Sequence, residues 1–284
     1  IIVIDEAEEI PDEEVFDKID LSARRNDKDN KVILIFNPTT KASWIYTRFF
    51  EATGVQPGNN CTTDDIAYIH TSYLDNEKYL SESILKQFNN LKNNNPDKYA
   101  HIVLGAFLDV AEGVIYTNWK FGDFDKSLEY FYGLDFGFHP DVDALVKVAI
   151  DKTNRKIYLQ ECVYTSQLET PELSKLVLQE TGRKEVIADS SGNRLIAELR
   201  RAGVNIIPCV KGAGSIEEGI KLMQDYEIIV SPCSSNIAKE LNNYVWSNKK
   251  AGAAKDMWNH ILDAARYAVM HKLKRVGGKT FMIK

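Results

Sequence analysis

Residues 184–212 read KEVIADSSGNRLIAELRRAGVNIIPCVKG. The apolar run Val186-Ile187-Ala188 is a short strand that ends on Asp189, and the polar turn Ser190-Ser191-Gly192 follows. Arg194–Ala202 then has helical spacing, with Leu195, Ile196 and Leu199 apolar and Arg194, Arg200 and Arg201 basic. A second strand, Val204–Val210, ends in Lys211-Gly212. Strand, helix, strand in that order is a β–α–β unit with parallel strands, so the fold class is α/β. Its first strand delivers Asp189 at its C-terminal tip, where parallel sheets collect chemistry. The alternative is a helix N-cap. That role suits Ser190 or Ser191, but explains less well why the strand itself ends on Asp.

Upstream, Tyr130–Phe138 is a β-rich run with a single acid, Asp135, between Leu134 and Phe136. Asp143–Ile150 and Lys156–Val163 continue as strands around a Lys152-Thr153-Asn154 turn, giving an antiparallel meander of three. An ionised carboxylate buried in such a strand is costly unless it is paired or holds a metal. Asp135 could instead cap a turn beside Gly137. Downstream, Asp256–Tyr267 reads as a helix with apolar positions at 258, 261, 262 and 265. Asp256, His260 and Asp263 fall at i, i+4 and i+7, a second stripe that could bind a divalent cation or simply face solvent.

Taken together, Asp135 and Asp189 on strands and Asp263 on a late helix make an RNase H-like arrangement, in which two divalent ions about 4 Å apart act on a phosphodiester. Carboxylates suit Mg²⁺ or Mn²⁺ as hard oxygen donors, and His260 as a fourth ligand leans the set toward Mn²⁺.

The N-terminal part reads differently. Ile1-Ile2-Val3-Ile4-Asp5-Glu6 is the pattern of a buried parallel strand ending in two acids. In nucleotide hydrolases this is the Walker B pattern, with Asp5 the Mg²⁺-holding and Glu6 the water-activating acid. A second strand, Lys31–Phe36, ends in Asn37-Pro38, where Asn37 could sense a phosphate or merely begin a turn. No G-x-x-x-x-G-K-[ST] phosphate loop occurs, and the chain starts without Met inside a strand. The expectation is a fragment whose phosphate loop is absent, with ATP bound and hydrolysed only by the full-length protein. Residues 51–65 read as a loop, Ala67–Ser72 as a strand, and Glu77–Leu91 as a helix closed by Asn93-Asn94-Asn95-Pro96.

Charge separates the two parts. Residues 1–114 hold 20 acidic and 11 basic residues, a net of −9; residues 115–284 hold 21 and 24, a net of +3. The second part is therefore mildly basic despite its metal-binding acids, which fits an enzyme meeting a polyanion locally. With 44% hydrophobic and 27% charged residues the chain has the composition of an ordinary globular protein. Its longest apolar runs fall far short of the ~20 residues of a membrane span. Cys61, Cys162, Cys209 and Cys233 form no C-x-x-C pair, which argues against a zinc site or disulfide framework. The expected division is 1–113, a partial P-loop-type ATPase sheet, and 114–284, an RNase H-like mixed-sheet nuclease domain.

IIVIDEAEEI at 1–10, FNP at 36–38, GLDFGFHPD at 133–141, IADSSGNRLIAELRRAGVNIIPCVKG at 187–212 and NHILDAARY at 259–267 resemble the large terminase subunits of tailed bacteriophages. The resemblance covers nearly the whole chain. It implies an endonuclease that cuts concatemeric viral DNA, joined to an ATP-driven translocation motor. Asp5 and Glu6 match the family's Mg²⁺ and water-activating acids, Asn37 its coupling position, and Asp135, Asp189 and Asp263 its nuclease triad. His260 matches a histidine found beside the last acid in one branch, and Lys211 a loop lysine near the site. Arg194, Arg200, Arg201 and Lys211 are the expected DNA contacts. Implied partners are double-stranded viral DNA, the small terminase subunit and the portal protein, in the cytoplasm of a bacterial host and without a membrane. Two alternatives stand beside it. One is an RNase H-like resolvase or transposase, which needs no Walker B strand; the other is a non-catalytic prophage remnant or interaction module, which need not retain the acids.

Overall fold

The first apolar run pairs with the second in parallel. In the computed structural model, which describes all residues except 23–29, 138–141, 167, 211, 213, 248–253, 256 and 275–284, contacts divide the chain into two units, Ile1–Ala111 and Glu112–Lys284. Lys211, Asp256 and residues 138–141, singled out from the sequence, lie outside the described residues.

In the first unit, β1 (Ile2–Ile4) is followed by α1 (Glu13–Asp20), whose first turn is capped by the Asp12 carboxylate accepting from the Val15 amide. The strand β2 (Val32–Leu34) lies parallel to β1, with Ile2 opposite Val32 and Ile4 opposite Leu34. Ile4, Leu34 and Phe36 pack on a small core that includes Ala7, Ile45, Phe50 and Phe107. The other face is open: Val3 is 58% and Ile33 46% exposed. The fully buried strand expected from the sequence is thus corrected to a one-sided one. Side chains alternate across a strand, and the described unit covers one face only.

Next come α2 (Trp44–Tyr46), which runs into a wider π turn at Thr47–Glu51, and a small hairpin of β3 (Cys61–Thr62) and β4 (Ala67–Tyr68). The hairpin draws its first strand from the segment expected to be loop. The helix expected from Glu77 begins later, as α3 (Glu82–Asn94), because the Ser81 hydroxyl accepts from the Ile84 amide and fixes the start. Asn95-Pro96 does not close the helical region. Asn95 caps α4 (Pro96–Ile102), and Pro96 occupies its first turn, where no amide is needed.

The second unit is built on seven strands. They are β5 (Trp119–Phe121), β6 (Tyr130–Asp135), β7 (Val142–Asp151), β8 (Lys156–Ser166), β9 (Val186–Ala188), β10 (Ile206–Pro208) and β11 (Glu227–Val230), in the order β10-β9-β6-β7-β8-β11-β5. The expected meander β6–β7–β8 is antiparallel. β9 joins β6 in parallel and β10 joins β9, so the β–α–β unit extends the meander. In the chain, α5 (Thr170–Thr181), α6 (Asn193–Arg201) and α7 (Ser215–Gln224) lie between strands, and α8 (Ser235–Asn243) and α9 (His260–Lys274) follow β11.

Two cores cover the two faces of this sheet. Leu173, Val177, Ile196 and Leu199, from α5 and α6, pack with Tyr132 and Leu134. Ile220, Ile237, Leu262, Ala265 and Val269, from α7, α8 and α9, pack with Phe131, Val146 and Val148. Along β6 the even positions face α5 and α6, and Phe131 faces the other way. Period two therefore places Asp135 on the α9 side. The terminal helix starts at His260 rather than at Asp256. The edge strand β5, the four-residue β11, and α7 and α8 were not anticipated; both strands are too short for a periodic signal.

Candidate metal centre

β6 and β9 run parallel with Leu134 beside Ala188, so the residues just past that pair, Asp135 and Asp189, emerge at the same edge of the sheet. The Asp189 carboxylate accepts from the amide and the hydroxyl of Ser191, both at 2.9 Å. Asp189 therefore caps the turn Ser190–Gly192 as well as ending the strand, and the two readings of this residue do not exclude each other. Past Asp135, the Gly137 amide donates to Asp143 Oδ1 at 3.1 Å, which pins the chain leaving the strand.

α9 reaches this edge because β6 carries a glycine. A Cβ on Gly133 would stand 1.9 Å from the Ala264 carbonyl oxygen. Only glycine allows the helix backbone to lie that close. Ala264, Ala265 and Ala268 supply the matching small face, all buried. The helix thereby brings His260 Nδ1 to 3.5 Å from Asp135 Oδ2. One turn along, Asp263 lies among Arg266 and Tyr267. Arg266 donates from Nε to Oδ1 at 3.2 Å, and its NH2 group lies 2.9 Å from Oδ2. The Tyr267 hydroxyl donates to Oδ2 at 3.4 Å.

The electrostatics report how closely the acids converge. The Asp135 side chain is 14% exposed. Burial first, and then the negative charges of Asp263 and Asp189, push it up from its ordinary 3.8 to about 6, against the opposing pull of His260. Tyr267 is pushed far up, by burial first and then by Asp263, Asp135 and Asp189, so one phenol senses all three acids. Burial works against the charge of Arg266, and Asp263 outweighs it, leaving the guanidinium raised.

Three carboxylates against one guanidinium leave an excess of negative charge in a poorly solvated place. That donor set, with an imidazole at hand, fits Mg²⁺ or Mn²⁺. Among the described residues no three donors stand ready as a closed ligand cluster. Asp189 and Asp263 have their oxygens on Ser191 and Arg266, bonds that a cation would have to share or replace.

A stability prediction follows from Asp135. Its folded pKa lies above the unfolded value, so folding favours the neutral form. That contribution is full below pH ~4 and is lost as pH rises through about 6. At pH 7.5 without metal, Asp135→Asn is therefore expected to raise stability by about 1–3 kcal/mol, an advantage absent at pH 4. Thermal unfolding of both proteins at the two pH values reads this directly; equal stability at pH 7.5 would contradict it.

The expected DNA-contacting residues separate. Arg194 lies in the first turn of α6, beside the Asp189 turn, with Nε 2.9 Å from Glu198. Arg200 and Arg201 end the same helix, and Arg200 Nε donates to the Ile206 carbonyl at 2.8 Å. In the first unit, the Glu6 amide donates to Asp5 Oδ1 at 3.1 Å, and Glu6 has φ of 53°. Asn37 donates through its amide and Nδ2 to Glu8 Oε1, each at 3.1 Å. The sequence reading missed Glu8, although it stands in the same acidic run. It also missed Arg266 and Tyr267, whose spacing of three and four from Asp263 was the available signal.

Two family models match the chain: one described as phage terminase large subunit over residues 1–106, and one described as terminase RNase H-like domain over residues 135–271. The chain belongs to the phage terminase large-subunit family. Within that family it is 31% identical to the terminase large subunit of Bacillus phage SPP1 over 261 residues, covering 84% of this chain and 58% of the relative. It is 25% identical to the PBSX phage terminase large subunit of Bacillus subtilis strain 168 over 263 residues, covering 84% and 60%. The chain thus spans about three fifths of the length of these terminases. Among solved structures, the large-terminase nuclease domain from bacteriophage SPP1 with bound Mn superposes with a TM-score of 0.52 at 28% identity, covering 56% of this chain and 99% of that one.

Proposed function

We propose that residues 114–284 form a divalent-metal endonuclease that cuts concatemeric viral DNA during packaging, and that residues 1–113 are the C-terminal part of the packaging ATPase. The observation that carries the nuclease reading is the convergence of Asp135, Asp189, Asp263 and His260 at one sheet edge. The Mn-bound SPP1 nuclease domain supports the same reading by likeness.

Asp135, Asp189, Asp263 and His260 would hold two Mg²⁺ or Mn²⁺ ions. When bound, such ions supply a water of lowered pKa and stabilise the leaving 3′ oxygen. The chain's own residues prepare the place. β6 and its burial fix Asp135 in a low-dielectric position. Ser191 orients Asp189, Arg266 orients Asp263 while balancing part of the charge, and His260 faces Asp135. Arg194, at the same end of α6 as Asp189, is the arginine best sited to meet a phosphate near the acids; Lys211, Arg200 and Arg201 would serve a longer stretch of duplex.

In the first unit, Asp5 and Glu6 would serve Mg²⁺ and the attacking water in the full-length ATPase, with Asn37 coupling through Glu8. The left-handed backbone at Glu6 supports this assignment. A non-glycine residue there costs on the order of 1–3 kcal/mol, and such strain gathers at functional positions. The small terminase subunit and the portal protein are the proposed partners in the host cytoplasm. No described helix is long and apolar enough to cross a membrane.

The test is incubation of the chain with supercoiled plasmid and Mn²⁺, Mg²⁺ or chelator. Nicked and linear products are expected with either cation and none with chelator. Intact plasmid under every condition would overturn the nuclease reading.

A further inference from the structure

α9 carries two of the four proposed ligands in its first turn, and two amides of that turn are held from another helix. The first bond of the helix ladder runs from the Asp263 amide to the Asn259 carbonyl at 2.6 Å. The amides of Ile261 and Leu262 therefore have no partner within the helix. Both are taken by one carboxylate from a different helix. Glu240 of α8 accepts from Ile261 through Oε1 at 3.2 Å and from Leu262 through Oε2 at 3.0 Å. The Tyr164 hydroxyl of β8 donates to the same Oε1 at 3.1 Å. Glu240 is 0% exposed. Burial opposes the charge of this carboxyl and pushes it up, and the Leu262 and Ile261 amides, His260 and the Tyr164 hydroxyl offset only part of that cost.

α8 is itself fixed. Glu161 of β8 accepts from the Asn236 amide at 3.0 Å and from Asn236 Nδ2 at 2.6 Å, and its own amide donates to the Ser234 hydroxyl at 3.0 Å. A continuous set of bonds thus runs from β8 to α8 and on to the start of α9. β8 pairs with β7, and β7 with β6, the strand of Asp135.

We propose that Glu240 is a positioning residue for the metal centre: by capping the first turn of α9 from outside, it sets His260 and Asp263 against Asp135. The inference rests on the metal-centre reading above. Glu240 is assigned no contact with DNA or cation. Its two oxygens fix the rotation and height of the turn, which a single-oxygen side chain cannot do.

The experiment is Mn²⁺ titration of the whole chain by calorimetry, alongside plasmid nicking as a function of Mn²⁺ concentration. Glu240→Gln keeps the shape but turns an amide group toward one of the two helix amides. It is expected to weaken Mn²⁺ binding and raise the half-saturating concentration by ~10–100-fold, the usual effect of losing a group that orients metal ligands. Tyr164→Phe removes one donor to Glu240 and should shift both in the same direction by less. Leu173→Ala, in the core on the opposite face of the sheet, should lower thermal stability and leave Mn²⁺ half-saturation where it was. A folded Glu240→Gln that binds Mn²⁺ as tightly as the parent overturns the inference. If Glu240→Gln does not fold, an unshifted Tyr164→Phe overturns it in the same way. A parent that neither binds Mn²⁺ nor nicks overturns the metal-centre reading itself, which separates the two failures.

Discussion

Asp135→Ala is expected to abolish divalent-dependent cutting, with a loss on the order of 10³-fold or more. The Asp135 side chain is as little exposed as that of Asp263, burial is the leading influence on it, and the charges of Asp263 and Asp189 both oppose its own. It also faces the imidazole of His260. Removing it takes away the charge at the centre of the donor set and leaves Asp189 on its turn and Asp263 on its arginine. Cations at such a site stabilise the transition state by several kcal/mol, and each 1.36 kcal/mol is tenfold in rate, which gives about three orders of magnitude. Asp135→Asn separates charge from shape. It should lose cutting as completely as alanine does while folding more stably at pH 7.5, a combination that general damage to the fold cannot produce. Single-turnover nicking with Mn²⁺ reads the first effect. A variant that cuts as fast as the parent would remove Asp135 from the centre.

The acids were legible in the sequence because strand ends are legible. A short apolar run stopping on Asp189 and another on Asp135 marked both as strand ends, but the β–α–β pattern joins β9 only to β10, and the parallel pairing of β6 with β9 that brings the two acids together is a tertiary choice. The late helix was legible from its apolar spacing. Its start was not, since the feature that anchors it, Glu240, belongs to α8 and reaches it across 21 residues of sequence. No local pattern announces a cap supplied from elsewhere. Arg266 escaped for a different reason. A buried guanidinium three residues after an acid looks the same in sequence as a solvated one, and only burial distinguishes them. In the first unit, the parallel pairing of Ile2–Ile4 with Val32–Leu34 followed from two apolar runs. Their one-sided burial did not, because an all-apolar strand carries no record of which face is covered. The bond from Asn37 to Glu8 joins residues 29 positions apart, which no local pattern announces.

Gly133→Ala is the second large effect, and it tests how the site is assembled rather than what lines it. The added methyl would meet the Ala264 carbonyl oxygen at 1.9 Å, its carbon at 2.6 Å and the Ala268 methyl at 3.2 Å. A flexible side chain could swing away, but a helix backbone cannot without moving the whole element. α9 is held by buried contacts along Ile261, Leu262, Ala265 and Val269, so either the sheet or the helix must give. Overpacking of this kind costs ~1–3 kcal/mol where side chains can yield, and more where backbone is the obstacle. A loss of about 3 kcal/mol or more is expected in urea unfolding. Cutting should fall further than stability, because His260 and Asp263 travel with α9 while Asp135 stays on β6. A displacement of about 1 Å between reacting groups can cost 10²-fold. Gly212→Ala, where an added Cβ meets nothing within 4 Å, should leave stability unchanged. Trimming the neighbour distinguishes the cause. Ala268→Gly removes the side-chain atom that the methyl would meet but not the Ala264 carbonyl, so it should fail to rescue Gly133→Ala. Rescue by that change would mean that side-chain packing, and not the approach of the helix backbone to the strand, sets the distance between Asp135 and Asp263.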